Sequence, residues 1–376
     1  MKKYRLAAAD AASLNELLTQ VQTQTRDFLG YPVSKDFDYS PLLPFLQYPL
    51  NNLGDPFVPS TYAVGSREME KQVVSFFADL FRAPENNWWG YVTNGGSEGN
   101  LYGLYLAREL YPKGMVYYSE ATHYSVQKNL HLLNMPGIII RTLPNGEIDY
   151  GDLENTICMN RHLPVIILAN IGTTMTEARD DVKRIMGILK HLAIPHYYIH
   201  ADGALSGCYS AFLEPRPAFD FADGADSIAI SGHKFIGSPI PCGVVVAKKS
   251  NRDRIARSVS YIGSMDTTIT GSRNGHSPLF LWYALKSLGR NGLKERAMHS
   301  LAMAAYAVER LNENGIPAWR NPGAITVVFP DPPANVRRKW QLASESGCSH
   351  IICMPNVSKE QVDEFVKSFV DAMALV

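Results

Sequence analysis

A lysine that follows a short apolar strand leaves a rigid sheet edge and points into whatever cleft lies there. The run Ser227-Ile-Ala-Ile-Ser231-Gly-His233-Lys234-Phe235 has this form. Such an amine attacks carbonyl carbon only when desolvation or a neighbouring cation pulls its pKa down. A second corner, Ile199-His-Ala-Asp202-Gly-Ala204, lies upstream. A carboxylate placed behind Tyr-Tyr-Ile-His-Ala is largely desolvated, which is costly unless it meets a cation. Lysine and aspartate at neighbouring strand ends suit pyridoxal 5'-phosphate. Its aldehyde takes the lysine as a Schiff base, and its pyridinium nitrogen takes the carboxylate. Ser-x-His-Lys alone carries little weight, because most lysines after strands are solvated turn residues.

The case depends on further corners. Thr93-Asn-Gly-Gly96-Ser97-Glu-Gly-Asn follows a strand and opens a helix, so free N–H groups and the Ser97 hydroxyl offer an anion site. An ordinary glycine-rich turn capped by Ser97 fits those residues equally well. No Gly-Lys-Ser/Thr follows, so it is not a Walker A loop. In Ser119-Glu-Ala-Thr-His123-Tyr-Ser125, the His123 imidazole is placed to lie against a cofactor ring and reach a substrate carboxylate, with Ala204 on the opposite face. A plain helix-start histidine is the alternative. Ala169-Asn-Ile-Gly172-Thr173-Thr174 ends the most hydrophobic strand and offers Thr173 to the phenolic oxygen of the cofactor, or simply turn packing.

The elements needed to position these corners are legible. A helix is expected over 11–30, then an irregular Pro/Tyr-rich stretch over 31–66 and a helix from Glu68 to Phe81. Strands follow at Trp89–Thr93, Met115–Ser119, Ile138–Thr142, Pro164–Ile171, Tyr197–Ala201, Ser227–Ser231 and Gly243–Ala247, with amphipathic helices between most of them. Continuous apolar strands alternating with helices predict an α/β fold with a mostly parallel central sheet covered on both faces. The strands near 228 and 245 are expected to form a hairpin-like or antiparallel edge. Open sheets of this kind bind ligands at the carboxyl ends of their strands, where all five corners fall. The rhythm changes after the helix Leu279–Leu288, predicting a small C-terminal α+β domain. The expected division is 1–66, 67–290 and 291–376.

Composition narrows the class. Lys+Arg and Asp+Glu balance at 36 each, which gives no global field for nucleic acid or an anionic membrane. Charged residues make up 19% and hydrophobic ones 46%, as in a compact enzyme with much buried surface. The five cysteines form no Cys-x-x-Cys pair, so neither a disulfide framework nor a zinc site is expected, and no metal. No secretory leader or membrane span is read, which points to a cytoplasmic protein.

The motifs Gly90-Tyr-Val-Thr-Asn-Gly-Gly-Ser-Glu-Gly-Asn100, Thr122-His-Tyr-Ser-Val126, Asn145-Gly-Glu-Ile-Asp-Tyr150, Ser231-Gly-His-Lys-Phe-Ile-Gly-Ser-Pro-Ile-Pro-Cys-Gly243 and Thr268-Ile-Thr-Gly-Ser-Arg-Asn-Gly-His276 carry a resemblance. Over nearly its full length the chain resembles the group II pyridoxal-phosphate-dependent amino-acid decarboxylases of fold type I, most closely the short bacterial histidine decarboxylases. Asn51-Asn-Leu-Gly-Asp-Pro56, Ser66-Arg-Glu-Met-Glu70 and Met354-Pro look more like the plant serine decarboxylases. The resemblance implies that Lys234 carries the cofactor, Asp202 holds its nitrogen, and His123 stacks on it and contacts substrate. It also implies that Gly96, Ser97, Ser231 and His233 hold the phosphate, and that the protein is a homodimer or larger. Histidine is the leading expected substrate and serine the rival; an aminotransferase or an inactive binding protein would be a different class. Tyr261, in the polar stretch 258–270, is the expected proton donor to Cα. Asn52, Tyr62, Ser272 and Arg273 are the expected substrate contacts, the last two from across a dimer interface.

Overall fold

The computed structural model describes residues 6–260 and 263–374. The chain opens with helix α1 (Ala8–Arg26), a 3-10 segment at Ser40–Gln47 and α2 (Arg67–Leu80). The βα succession then runs β1 (Trp89–Thr93), α3 (Gly96–Leu110), β2 (Met115–Ser119), α4 (Ser125–Leu133), β3 (Gly137–Ile140), α5 (Tyr150–Met159), β4 (Val165–Asn170), α6 (Val182–His191) and β5 (Tyr197–Asp202). After the short α7 (Gly207–Ser210) come β6 (Ser227–Ser231), β7 (Gly243–Ala247), the short α8 (Lys249–Arg252) and the hairpin β8 (Arg257–Val259) with β9 (Ser264–Asp266). The rest is α9 (His276–Glu313), β10 (Thr326–Pro330), α10 (Ala334–Trp340), β11 (Ser344–Glu345), β12 (Cys348–Ile352) and α11 (Lys359–Met373).

Among the described residues, seven strands form the main sheet in the order β1-β7-β6-β5-β4-β2-β3. From β3 to β6 all neighbours are parallel, and β7 runs antiparallel to both β6 and β1. The expected antiparallel strand is therefore present, but it is not an edge. Trp89–Thr93 pairs along its full length with Ala247–Gly243 and closes that side. Strand alternation sends Ile167, Ile199, Ala201 and Ile228 into one core layer and Ile166, Leu168, Tyr198 and Ala229 into the other. Both faces are thus dry, which is why these strands read as unbroken apolar runs.

Element α9 is two helices meeting at a kink at Gly289, where φ is 61° and ψ −169°, so the helix expected over Leu279–Leu288 ends there. Glycine alone adopts that backbone without strain. Beyond the break, β10, β12 and β11 make a three-stranded antiparallel sheet, and α11 packs on it where Phe365 and Phe369 meet Phe329. The 3-10 segment, the β8–β9 hairpin and α10 were not anticipated; each is short and lacks an amphipathic period. No described helix is long and apolar enough to cross a membrane, and all five cysteines are free thiols.

Candidate active site

The carboxyl ends of β1, β2, β5 and β6 converge on one rim. At the end of β1 the chain turns through Gly95, whose φ of 142° suits glycine, and enters α3. Glu98 shapes this turn: its Oε2 accepts from Asn94 N (3.0 Å) and Asn94 Nδ2 (2.5 Å), and its Oε1 accepts from Tyr91 Oη (2.9 Å). Among the described residues, the N–H groups of Gly96 and Ser97 have no hydrogen-bond partner. They open a 15-residue helix whose dipole favours an anion. Gly96 also lies where β6 comes closest, since a Cβ there would sit 2.7 Å from Ser231 Oγ and 3.3 Å from Ala204 Cβ. A side chain at 96 would fill the cradle.

Lys234 follows β6, and among the described residues its Nζ has no hydrogen bond or ion pair. Burial lowers its pKa, opposed by the charges of Asp202 and Cys208. A half-buried amine biased toward its neutral form is a nucleophile without a partner. Asp202, 6% exposed, accepts from Asn100 Nδ2 on Oδ2 (2.6 Å) and from Ala204 N on Oδ1 (3.1 Å). Each carboxylate oxygen keeps a lone pair for a further donor. His123 Nδ1 accepts from Ser125 N (3.3 Å) and lies 2.8 Å from Ser125 Oγ, which leaves the proton on Nε2. Burial, then the Lys234 and Lys128 charges, lower its pKa against the pull of Asp202, so the ring is neutral and flat-faced. His233 Nδ1 sits against the backbone of Cys242, 2.8 Å from its O and 3.2 Å from its N. The His233 ring also borders Gly95, where a Cβ would lie 3.9 Å from Cε1.

An anion cradle, an unpartnered half-buried amine, a carboxylate with lone pairs to spare and a neutral imidazole fit pyridoxal phosphate in charge and in chemistry. The residues brought together are Gly96, Ser97, His123, Asp202, Ala204, Ser231, His233 and Lys234. Thr173 is held in its own turn: its Oγ1 accepts from Ala178 N (3.0 Å) and pairs with Thr176 Oγ1 (3.0 Å).

Two of the four expected substrate contacts are engaged elsewhere in the structure. Asn52 and Arg273 are buried and spent on Glu70. Asn52 Nδ2 donates to Glu70 Oε2 (2.7 Å), Asn52 Oδ1 accepts from Ser66 N (2.8 Å), and Arg273 Nη1 pairs with Glu70 Oε1 while its Nη2 donates to Gly54 O (2.9 Å). Glu70 also takes Val92 N (2.9 Å), so this cluster pins the segment before α2 onto β1. A buried carboxylate recruits whatever cation and donors are near, and that claimed both residues. Ser272 and Tyr62 are exposed; Ser272 Oγ accepts from Asn51 Nδ2 (3.2 Å). Tyr261 lies outside the described residues.

Two site residues went unread in the sequence. Asn100 reaches Asp202 from α3, and His200 packs behind it with Nε2 2.9 Å from Asn100 Oδ1. The available signal was the polar pair His200 and Asp202 at i and i+2 of an otherwise apolar strand, which places both on one face.

The pyridoxal-dependent decarboxylase conserved domain matches residues 62–329, well over half of the chain. The chain belongs to this family. The histidine decarboxylase of Mesorhizobium japonicum is 49% identical to the decarboxylase over 363 residues, covering 96% of this chain and 98% of the relative. That of Morganella morganii is 49% identical over 341 residues, 90% of each chain. Among solved structures, the L-methionine decarboxylase of Streptomyces sp. 590 superimposes with a TM-score of 0.87 at 26% identity, covering 99% of this chain and 97% of that one. The fold is that of the pyridoxal-phosphate enzymes of fold type I. Pyridoxal phosphate is the decarboxylase's cofactor, and Lys234, Asp202 and the Gly96–Ser97 turn are the groups that fit it.

Proposed function

We propose that this decarboxylase converts L-histidine to histamine and carbon dioxide. The observation that carries the reading is near-half identity, spread over almost the whole length, with relatives from several bacteria that bear the name histidine decarboxylase. Bound pyridoxal phosphate supplies an electron sink for the pair left when carbon dioxide departs. The chain's own groups do the rest. Lys234 would hold the cofactor through its amine. Asp202 would meet its ring nitrogen, and His123 would cover the ring and orient the substrate carboxylate. The N–H groups of Gly96 and Ser97, with Ser231 and His233, would hold the phosphate. Tyr261 remains the proposed donor of the proton to Cα, on its place in the sequence.

An aminotransferase would want an arginine free for the substrate carboxylate, and Arg273 is spent on Glu70. Serine stays the rival substrate. Competition kinetics decide: purified enzyme is expected to show a larger kcat/KM for L-histidine than for L-serine, and the reverse order replaces histidine with serine.

A homodimer and a cytoplasmic location complete the proposal. Helix α1 buries none of its residues and presents Leu14, Leu17, Leu18 and Val21, an i, i+3, i+4, i+7 stripe, to the outside. A second copy of the chain would cover it. The division at 1–66, 67–290 and 291–376 is supported by the Gly289 break and by the separate β10-β12-β11 sheet.

A further inference from the structure

Resting on that decarboxylase reading, we propose that Tyr198, Ser227, His200 and Asn100 form a one-way hydrogen-bond chain that holds Asp202 as an oriented anion for the cofactor's ring nitrogen. The distances run Tyr198 Oη to Ser227 Oγ 2.9 Å, Ser227 Oγ to His200 Nδ1 2.7 Å, His200 Nε2 to Asn100 Oδ1 2.9 Å and Asn100 Nδ2 to Asp202 Oδ2 2.6 Å. All five side chains are buried.

The direction of every bond follows from its last member. An ionised carboxylate only accepts, so Asn100 turns its Nδ2 toward Asp202 and its Oδ1 toward His200. His200 must then donate from Nε2, which leaves Nδ1 as an acceptor. Ser227 supplies that proton, and its oxygen accepts from Tyr198. Burial pushes the His200 pKa down to about 4, so the imidazole is neutral and Asp202 carries the only formal charge of the chain. Bonds aligned this way polarise one another toward the carboxylate. Donors to a carboxylate favour its charged form, and a charged carboxylate favours a proton on the ring nitrogen it would face. Strand alternation puts Tyr198, His200 and Asp202 on one face of β5, and Gly103 lets α3 lie against His200: a Cβ there would be 2.2 Å from His200 Nδ1.

These are positioning residues, and a purely structural chain would stabilise α3 on the sheet without touching the cofactor. The test is the nitrogen NMR signal of ring-labelled pyridoxal phosphate bound to the substrate-free holoenzyme. In Asn100→Ala and His200→Leu the signal should move toward that of an unprotonated pyridine. In His200→Gln, whose amide offers the same donor and acceptor, it should stay near the wild-type position. Asn100→Ala should also lower kcat roughly 10- to 100-fold, the loss of one charge-assisted hydrogen bond, with little change in KM. If Asn100→Ala does not fold, Ser227→Ala is read the same way, with a smaller shift expected. Folded, cofactor-loaded variants with lowered thermal stability and an unmoved nitrogen signal would overturn the proposal. A wild-type protein that retained no pyridoxal phosphate would instead count against the decarboxylase reading.

Discussion

Covalent attachment is proposed at Lys234, a half-buried lysine at the rim that has no hydrogen-bond or ion-pair partner among the described residues. Lys234→Ala should leave a folded protein that binds pyridoxal phosphate only non-covalently and lacks turnover. Borohydride reduction followed by peptide mass analysis checks this: label fixed on the variant would show a different lysine as the anchor. His200 supplies a second prediction, in stability. Its pKa is about 4 in the folded protein against an ordinary 6.5. Between these values the unfolded chain binds the proton and the folded one does not, so stability rises with pH across that window. The contribution is fully present above about pH 6.5 and is lost as pH falls toward 4, a total of about 3 kcal/mol. Urea unfolding at pH 7 and pH 5 should show a steeper loss for the wild type than for His200→Gln. Equal slopes would mean that this imidazole titrates normally in the fold.

Elements decide how closely such residues meet, and α3 is the clearest case. Gly99 and Gly103 lie one turn apart on its inner face, where a Cβ would meet Ala229 Cβ at 2.7 Å and the His200 ring at 2.2–2.7 Å. That close approach brings Asn100, between them in sequence, to 2.6 Å from Asp202. Gly103→Ala should therefore destabilise by about 1–3 kcal/mol or more through overpacking, despite alanine's better helix propensity. A thermal melt checks it: a variant as stable as the wild type would mean that α3 can shift outward freely. The strands and most helices were legible because apolar runs and amphipathic periods record two-faced burial. The corners Asp202, His123 and Lys234 were legible because polar residues stand out at the ends of such runs. The fates of Asn52 and Arg273 were not, because a buried carboxylate at Glu70 claims them from two distant segments, and no local pattern records that pairing. The interior position of β7 escaped for a related reason, since strand order depends on the long-range β1–β7 register.

At the scale of the whole molecule the question is what α1 is for. Among the described residues, only its last turn is tethered: Lys35 Nζ donates to Thr25 O, Gln341 Nε2 to Gln24 O (2.7 Å) and Gln361 Nε2 to Arg26 O (3.0 Å). The rest has no buried residue. A 19-residue helix rich in Thr and Gln is marginal alone in water, since helices in proteins draw most of their stability from packing an apolar face. Leu14, Leu17, Leu18 and Val21 are each more than half exposed, and fully burying such side chains yields roughly 1.5–3 kcal/mol apiece. Leu43, Phe45, Leu46 and Tyr48 of the 3-10 region are exposed as well. Surface of this kind, continuous along one helix face, marks an interaction site rather than a solvated exterior. With no net charge on the chain, like-charge repulsion does not oppose association of two copies. The wild type is therefore expected to sediment as a dimer of its 41.8 kDa chain. A Leu14→Glu, Leu18→Glu double variant should shift toward monomer, because two carboxylates cannot be desolvated in an apolar contact without a partner. Analytical ultracentrifugation over a concentration series reads both outcomes. A wild type that stays monomeric at every concentration would mean that something other than a second copy covers this helix.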